Sequence, residues 1–161
     1  MKSLGNVTLG PNDSHKDLGP ISLAEGQDTL WLNVAQLQPT ENWKYSYAIV
    51  SFVSTAGAEL GSTKVYGNQL GEVFQLGVRR APSIRSGVIR FRPRAYNLQW
   101  FSAKGAPKWT LSVAYETGKV QSGTGDTVAT AVNGVFRDLA HAGVRWLVRQ
   151  GTAYVLLTPG K

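Results

Sequence analysis

The chain has 161 residues, 42% of them hydrophobic, with five tryptophans, no cysteine and a formal net charge of +7. That is enough for one domain with its own core, and it excludes a disulfide scaffold, a thiolate metal site and thiol catalysis. No apolar run at the start suits a secretory signal, and none anywhere is long enough for a membrane helix.

Residues 1–28 are rich in Gly, Pro, Asn, Asp and Ser, with a short apolar beat at Leu18, Ile21 and Leu23. They read as an N-terminal arm that drapes over a neighbour, or equally as a loosely packed first strand. Strand signals follow from Thr29. Leu30, Leu32 and Val34 alternate with Trp31 and Asn33, then come a β-rich run from Tyr45 to Val53 and a short one from Lys64 to Tyr66. Val73 to Val78 places Phe74, Leu76 and Val78 on one face. Gly87 to Arg92, Tyr96 to Ser102 and Trp109 to Tyr115 complete the set. The apolar phase shifts near Pro93 to Ala95, where the strand is expected to bend or end. This spacing predicts an antiparallel β-sandwich, jelly-roll-like, over residues 29–116.

A linker is expected over 117–125. From Asp126, read as a helix N-cap, the apolar residues Val128, Ala131, Val132, Val135, Phe136 and Leu139 repeat at helical spacing, and Gly143 fits beyond the helix end. Val144 to Arg149 and Thr152 to Leu157 flank Gln150-Gly151 as a β-hairpin. Residues 126–161 thus read as a helix-hairpin unit. It is too small to fold alone, so it must dock on the sandwich or on another chain.

Charge is concentrated. Residues 73–115 hold eight Lys or Arg and no Asp or Glu, whereas the rest of the chain holds nine against ten. Within this stretch Arg90, Arg92 and Arg94 share one strand face, while Ile89 and Phe91 point into the core. Three arginines in a row repel unless an anionic or aromatic group meets them. The residues nominated for partner binding are therefore Arg79, Arg80, Arg90, Arg92 and Arg94, with the aromatics Trp43 and Trp100.

Catalysis finds little. His15 and His141 lie in no nucleophile or metal motif, and the carboxylates form no close pair in sequence, so no catalytic, cofactor or metal residue is nominated. Gly123-Thr124-Gly125 lacks the third glycine and the βαβ unit of a dinucleotide site. Nucleic acid is disfavoured, because +7 is modest and no recognition signature is present. Carbohydrate binding is the alternative reading, with Trp31, Trp43, Tyr45, Tyr47, Trp100 and Trp109 as material for stacking.

Val135-Phe136-Arg137-Asp138-Leu139-Ala140-His141-Ala142-Gly143-Val144 and Arg149-Gln150-Gly151-Thr152-Ala153-Tyr154-Val155-Leu156-Leu157-Thr158-Pro159-Gly160 resemble small helix-hairpin units in structural proteins of tailed-bacteriophage particles. The sandwich before them is similar in architecture to jelly-roll modules of phage decoration, cement and adaptor proteins. The resemblance implies a non-enzymatic virion protein, part of a capsid decoration or of a neck, tail or baseplate. It would be a homo-oligomer or multi-copy component that binds other virion structural proteins and needs no cofactor. It assigns no functional residue to any position of this chain.

Overall fold

The computed structural model describes residues 1–10, 12–38, 46–78, 86–94, 108–118, 126–128, 146–150 and 153–157, the last three stretches by backbone alone. Eleven strands run along these residues: β1 (Lys2–Leu9), β2 (Lys16–Ser22), β3 (Thr29–Gln36), β4 (Tyr47–Ser54), β5 (Glu59–Tyr66), β6 (Val73–Gly77), β7 (Ser86–Arg94), β8 (Trp109–Gly118), β9 (Asp126–Val128), β10 (Trp146–Gln150) and β11 (Ala153–Leu157). A 3-10 turn at Gly67–Gln69 is the one helical element among the described residues. The described residues are mainly β and form two largely antiparallel sheets in a sandwich-like arrangement. One sheet has the order β2-β7-β4-β5; the other begins β1-β8-β3-β6 and continues through β10, β11 and β9.

Alternation builds the core. Leu30, Leu32 and Val34 of β3 point inward, as do Phe74 and Leu76 of β6, and Trp109, Leu111 and Val113 of β8. Ala48, Val50 and Phe52 of β4 face them from the other sheet, together with Ile89 and Phe91 of β7. A period of two sends every second side chain to this interface, and burial of those chains drives the two sheets together.

Residues 1–10 and 12–28 lie within the two sheets and their connections. β1 pairs with β8 at the edge of one sheet and β2 pairs with β7 at the edge of the other. Val7, Leu9 and Ile21 join the core from these strands, and Leu23 from just past β2. The arm reading does not fit residues that bury four apolar side chains and pair with a strand in each sheet.

β7 ends at Arg94, within the stretch from Pro93 to Ala95 where the apolar phase shifts. Pro93 lies opposite Ala48 of β4, while β2 begins only opposite Phe91. Among the described residues nothing pairs with β7 on the β2 side at Pro93, and a ladder position open on one side is where proline is tolerated. At the other end of β7, Gly87 is required by close approach, since a Cβ there would collide with the Val53 carbonyl oxygen.

The C-terminal hairpin is present. β10 and β11 pair antiparallel, with Gln150 opposite Ala153. Asp126 opens a strand rather than a helix: β9 lies against β11, with Asp126 opposite Leu156. Backbone pairing to β11 here outweighs the capping signal read from Asp126. The helix expected over 129–143 and the strand expected over 96–102 fall outside the described residues. The hairpin docks on the sandwich by strand addition, β10 lying parallel to β6 through Val148 opposite Val73 and Arg149 opposite Phe74.

Candidate functional site

β7 is the second strand of its sheet, and its alternation exposes a defined row. Gly87, Ile89, Phe91 and Pro93 are buried, so Val88, Arg90, Arg92 and Arg94 stand on the outer face. Register then assigns their neighbours. Arg94 lies opposite Tyr47 of β4, which lies opposite Tyr66 of β5; Arg92, Ile49 and Lys64 form the next row, and Arg90, Ser51 and Ser62 the one after.

Two of the three arginines meet carboxylates of their own chain. Arg90 donates from Nε to Asp17 Oδ1 at 3.0 Å and from Nη2 to Asp17 Oδ2 at 3.1 Å, a bidentate pair between neighbouring strands. The hydrogen bond to Asp17 raises the Arg90 pKa above its ordinary value; desolvation opposes the rise and the Asp17 charge adds to it. His15 stands 3.8 Å from the same carboxylate. Arg92 donates from Nη2 to Glu59 Oε1 at 3.3 Å, while its buried Nε has no hydrogen-bond partner among the described residues. Arg94 differs. It is exposed, donates only to the carbonyl of Pro93, and has no carboxylate partner among the described residues.

The row of Arg94 carries an aromatic pair. The rings of Tyr47 and Tyr66 have centroids 5.2 Å apart and planes inclined by 35°. The Lys64 ammonium sits 5.5 Å from the Tyr47 ring centroid, within cation–π range. Lys64 is exposed and also lacks a carboxylate partner among the described residues. The basic row read from sequence therefore resolves into two neutralised pairs and one cationic, aromatic corner.

Arg79, Arg80, Trp43 and Trp100 lie outside the described residues, so the structure brings together only Arg90, Arg92 and Arg94 of the seven nominated positions. Of the other aromatics considered for stacking, Trp31 is fully buried, its Nε1 donating to Gln75 Oε1 at 3.1 Å, and Trp109 is a core residue. Neither offers a platform. Tyr66, Lys64, Asp17 and Glu59 were missed from sequence. Their alternation was visible, but their apposition depends on strand pairing between distant segments.

Elsewhere, a cavity of about 300 Å³ is lined by Met1, Lys2, Ser22, Tyr115, Glu116 and Thr117. The N-terminal ammonium is 3.6 Å from Glu116 Oε2 in this region. Among the described residues no group of three or more His, Cys, Asp or Glu could hold a metal ion. No helix among them is long and apolar enough to cross a membrane.

Comparison of the chain with protein-family models, with curated proteins and with solved structures finds no match in any of the three.

Proposed function

We propose that this protein is a non-enzymatic structural component of a virus particle, present in many copies and joined to neighbouring subunits. The pairing of β1 with β8, β2 with β7, β3 with β6 and β4 with β5 supports reading the sheets as a jelly-roll wrap, an arrangement used by capsid proteins and by lectins. The observation that carries the proposal is how the sheet edges are treated. β1 is bulged between Ser3 and Gly5, β2 between Leu18 and Ile21 with Pro20 in the gap, and β5 carries Glu59 and Lys64. Such features blunt an edge against further pairing. Among the described residues β6 is the strand of this wrap that accepts a further strand, β10, and it does so through two residue pairs. Strand addition is a general way for β proteins to join chains, and a short junction is readily exchanged for the same junction on a neighbour. In this reading β10 of one copy adds to β6 of the next, with the polar outer face fixing orientation.

The absence of native cysteine makes the test direct. Val73→Cys with Val148→Cys places one thiol on each side of the junction. Under oxidation this variant is expected to give covalent multimers on a denaturing gel, and light scattering should give a multimeric mass for the unmodified chain. A monomeric mass at all concentrations, with only an intrachain bond, would refute the proposal. Carbohydrate binding is a second reading, favoured by one observation, the Tyr47–Tyr66 pair.

A further inference from the structure

We propose that the corner formed by Tyr47, Tyr66, Lys64 and Arg94 binds an acidic oligosaccharide, one whose pyranose rings carry carboxylates. This deepens the carbohydrate reading and is independent of assembly at β6. The two tyrosines stand across β4 and β5 and are half-buried, so part of each ring is open to solvent. Lys64 and Arg94 flank them from different strands. The end of β5 is braced: the Tyr66 N–H donates to Gln69 Oε1 at 3.1 Å and the Gly67 N–H to the Ser46 carbonyl at 2.9 Å. The rings therefore sit on an ordered strand end before any ligand arrives, which lowers the ordering cost of binding.

The chemistry selects among anionic partners. A pyranose offers a face of C–H groups that packs on an aromatic ring, and a rim of hydroxyls suited to phenol and charged side chains. A carboxylate on that ring supplies the anion that Arg94 and Lys64 lack among the described residues, through charge-assisted hydrogen bonds. A single-stranded nucleic acid would require cations along a track of successive phosphates. That track is interrupted, because Arg90 and Arg92 are held by Asp17 and Glu59. A protein partner would bring an apolar interface centre. Among the described residues the exposed large hydrophobics are Met1 and Leu37, and neither lies on this sheet.

The test is calorimetric titration of the full chain with tetragalacturonate, alongside maltotetraose as a neutral match, an oligothymidylate and a polyglutamate peptide. Tetragalacturonate is expected to bind and maltotetraose not to. Arg94→Gln and Lys64→Met should each weaken binding about three- to fivefold, and Tyr66→Leu about tenfold. Lys2→Gln, by the cavity at the other end of the sandwich, should leave it unchanged. Should Tyr66→Leu fail to fold, the two exposed cations still decide the matter, with thermal melts as the check on folding. The proposal is overturned by no binding of tetragalacturonate, by equal binding of maltotetraose, by tighter binding of either polyanion, or by unchanged affinity in both cation variants. None of these outcomes alters the multimer mass or the cysteine cross-link, so failure here is separable from failure of the assembly reading.

Discussion

At the scale of single residues, the charged row on β7 divides into side chains that tie strands together and one, Arg94, with no carboxylate partner among the described residues. Arg90 ties β7 to the edge strand β2 through Asp17. Replacing Asp17 by Asn should therefore lower the melting temperature, with a smaller loss at high salt, because the pair is partly exposed and screened. Arg94→Gln should leave the melting temperature near that of the parent, since no carboxylate among the described residues depends on it. Measuring both melts separates the two roles; a larger loss for Arg94 than for Asp17 would contradict the division. Gly87 is constrained in another way. A methyl group there meets the Val53 backbone oxygen, which cannot move aside as a flexible side chain would. Gly87→Ala is expected to cost about 1–3 kcal/mol, as overpacking does, read from denaturant midpoints.

At the scale of elements, the strands with clear alternation were legible in the sequence. The inward phase of Leu30, Leu32 and Val34 and that of Phe74, Leu76 and Val78 follow from a period of two, and all six are buried. Phe91→Ala, in the core part of β7, should cost about 3–5 kcal/mol in equilibrium unfolding. What remained hidden depends on partners far away in the chain. β1 and β2 carry few apolar residues, and their turn-forming composition masks strands that exist because β8 and β7 pair with them. Removing residues 1–28 takes away both edge strands and four core side chains, so the truncated chain is expected to lose its sharp thermal transition. A cooperative melt retained after that deletion would restore the arm reading. The corner site was illegible for the same reason. Tyr47 was visible as an aromatic, but placing Tyr66 and Lys64 beside it requires the β4–β5 register, which shifts at a bulge between Phe52 and Val53. Asp126 shows the opposite failure, a good local signal for a helix start overridden by pairing with β11.

At the scale of the whole molecule, the eight-stranded wrap and the C-terminal strands are unequal partners. β1 and β8 pair at seven positions, whereas β10 meets β6 at two. Amide hydrogens of β10 and β11 are therefore expected to exchange well before those of β3 and β8, because a short junction opens without unfolding the wrap. Equal protection throughout would mean that the C-terminal strands are bound as firmly as the rest. The order of pairing in the wrap is nested, with β4 and β5 innermost and β1 and β8 outermost. A chain arranged like parentheses has a natural sequence of closure: the β4–β5 hairpin bridges a short loop, whereas Lys2 finds Tyr115 only after almost the whole domain has been made. During synthesis the first strand must wait, unpaired, for the eighth. The weak apolar character of its first five residues keeps that wait from becoming a hazard, since a stickier strand left idle for so long would be drawn into pairing with other nascent copies.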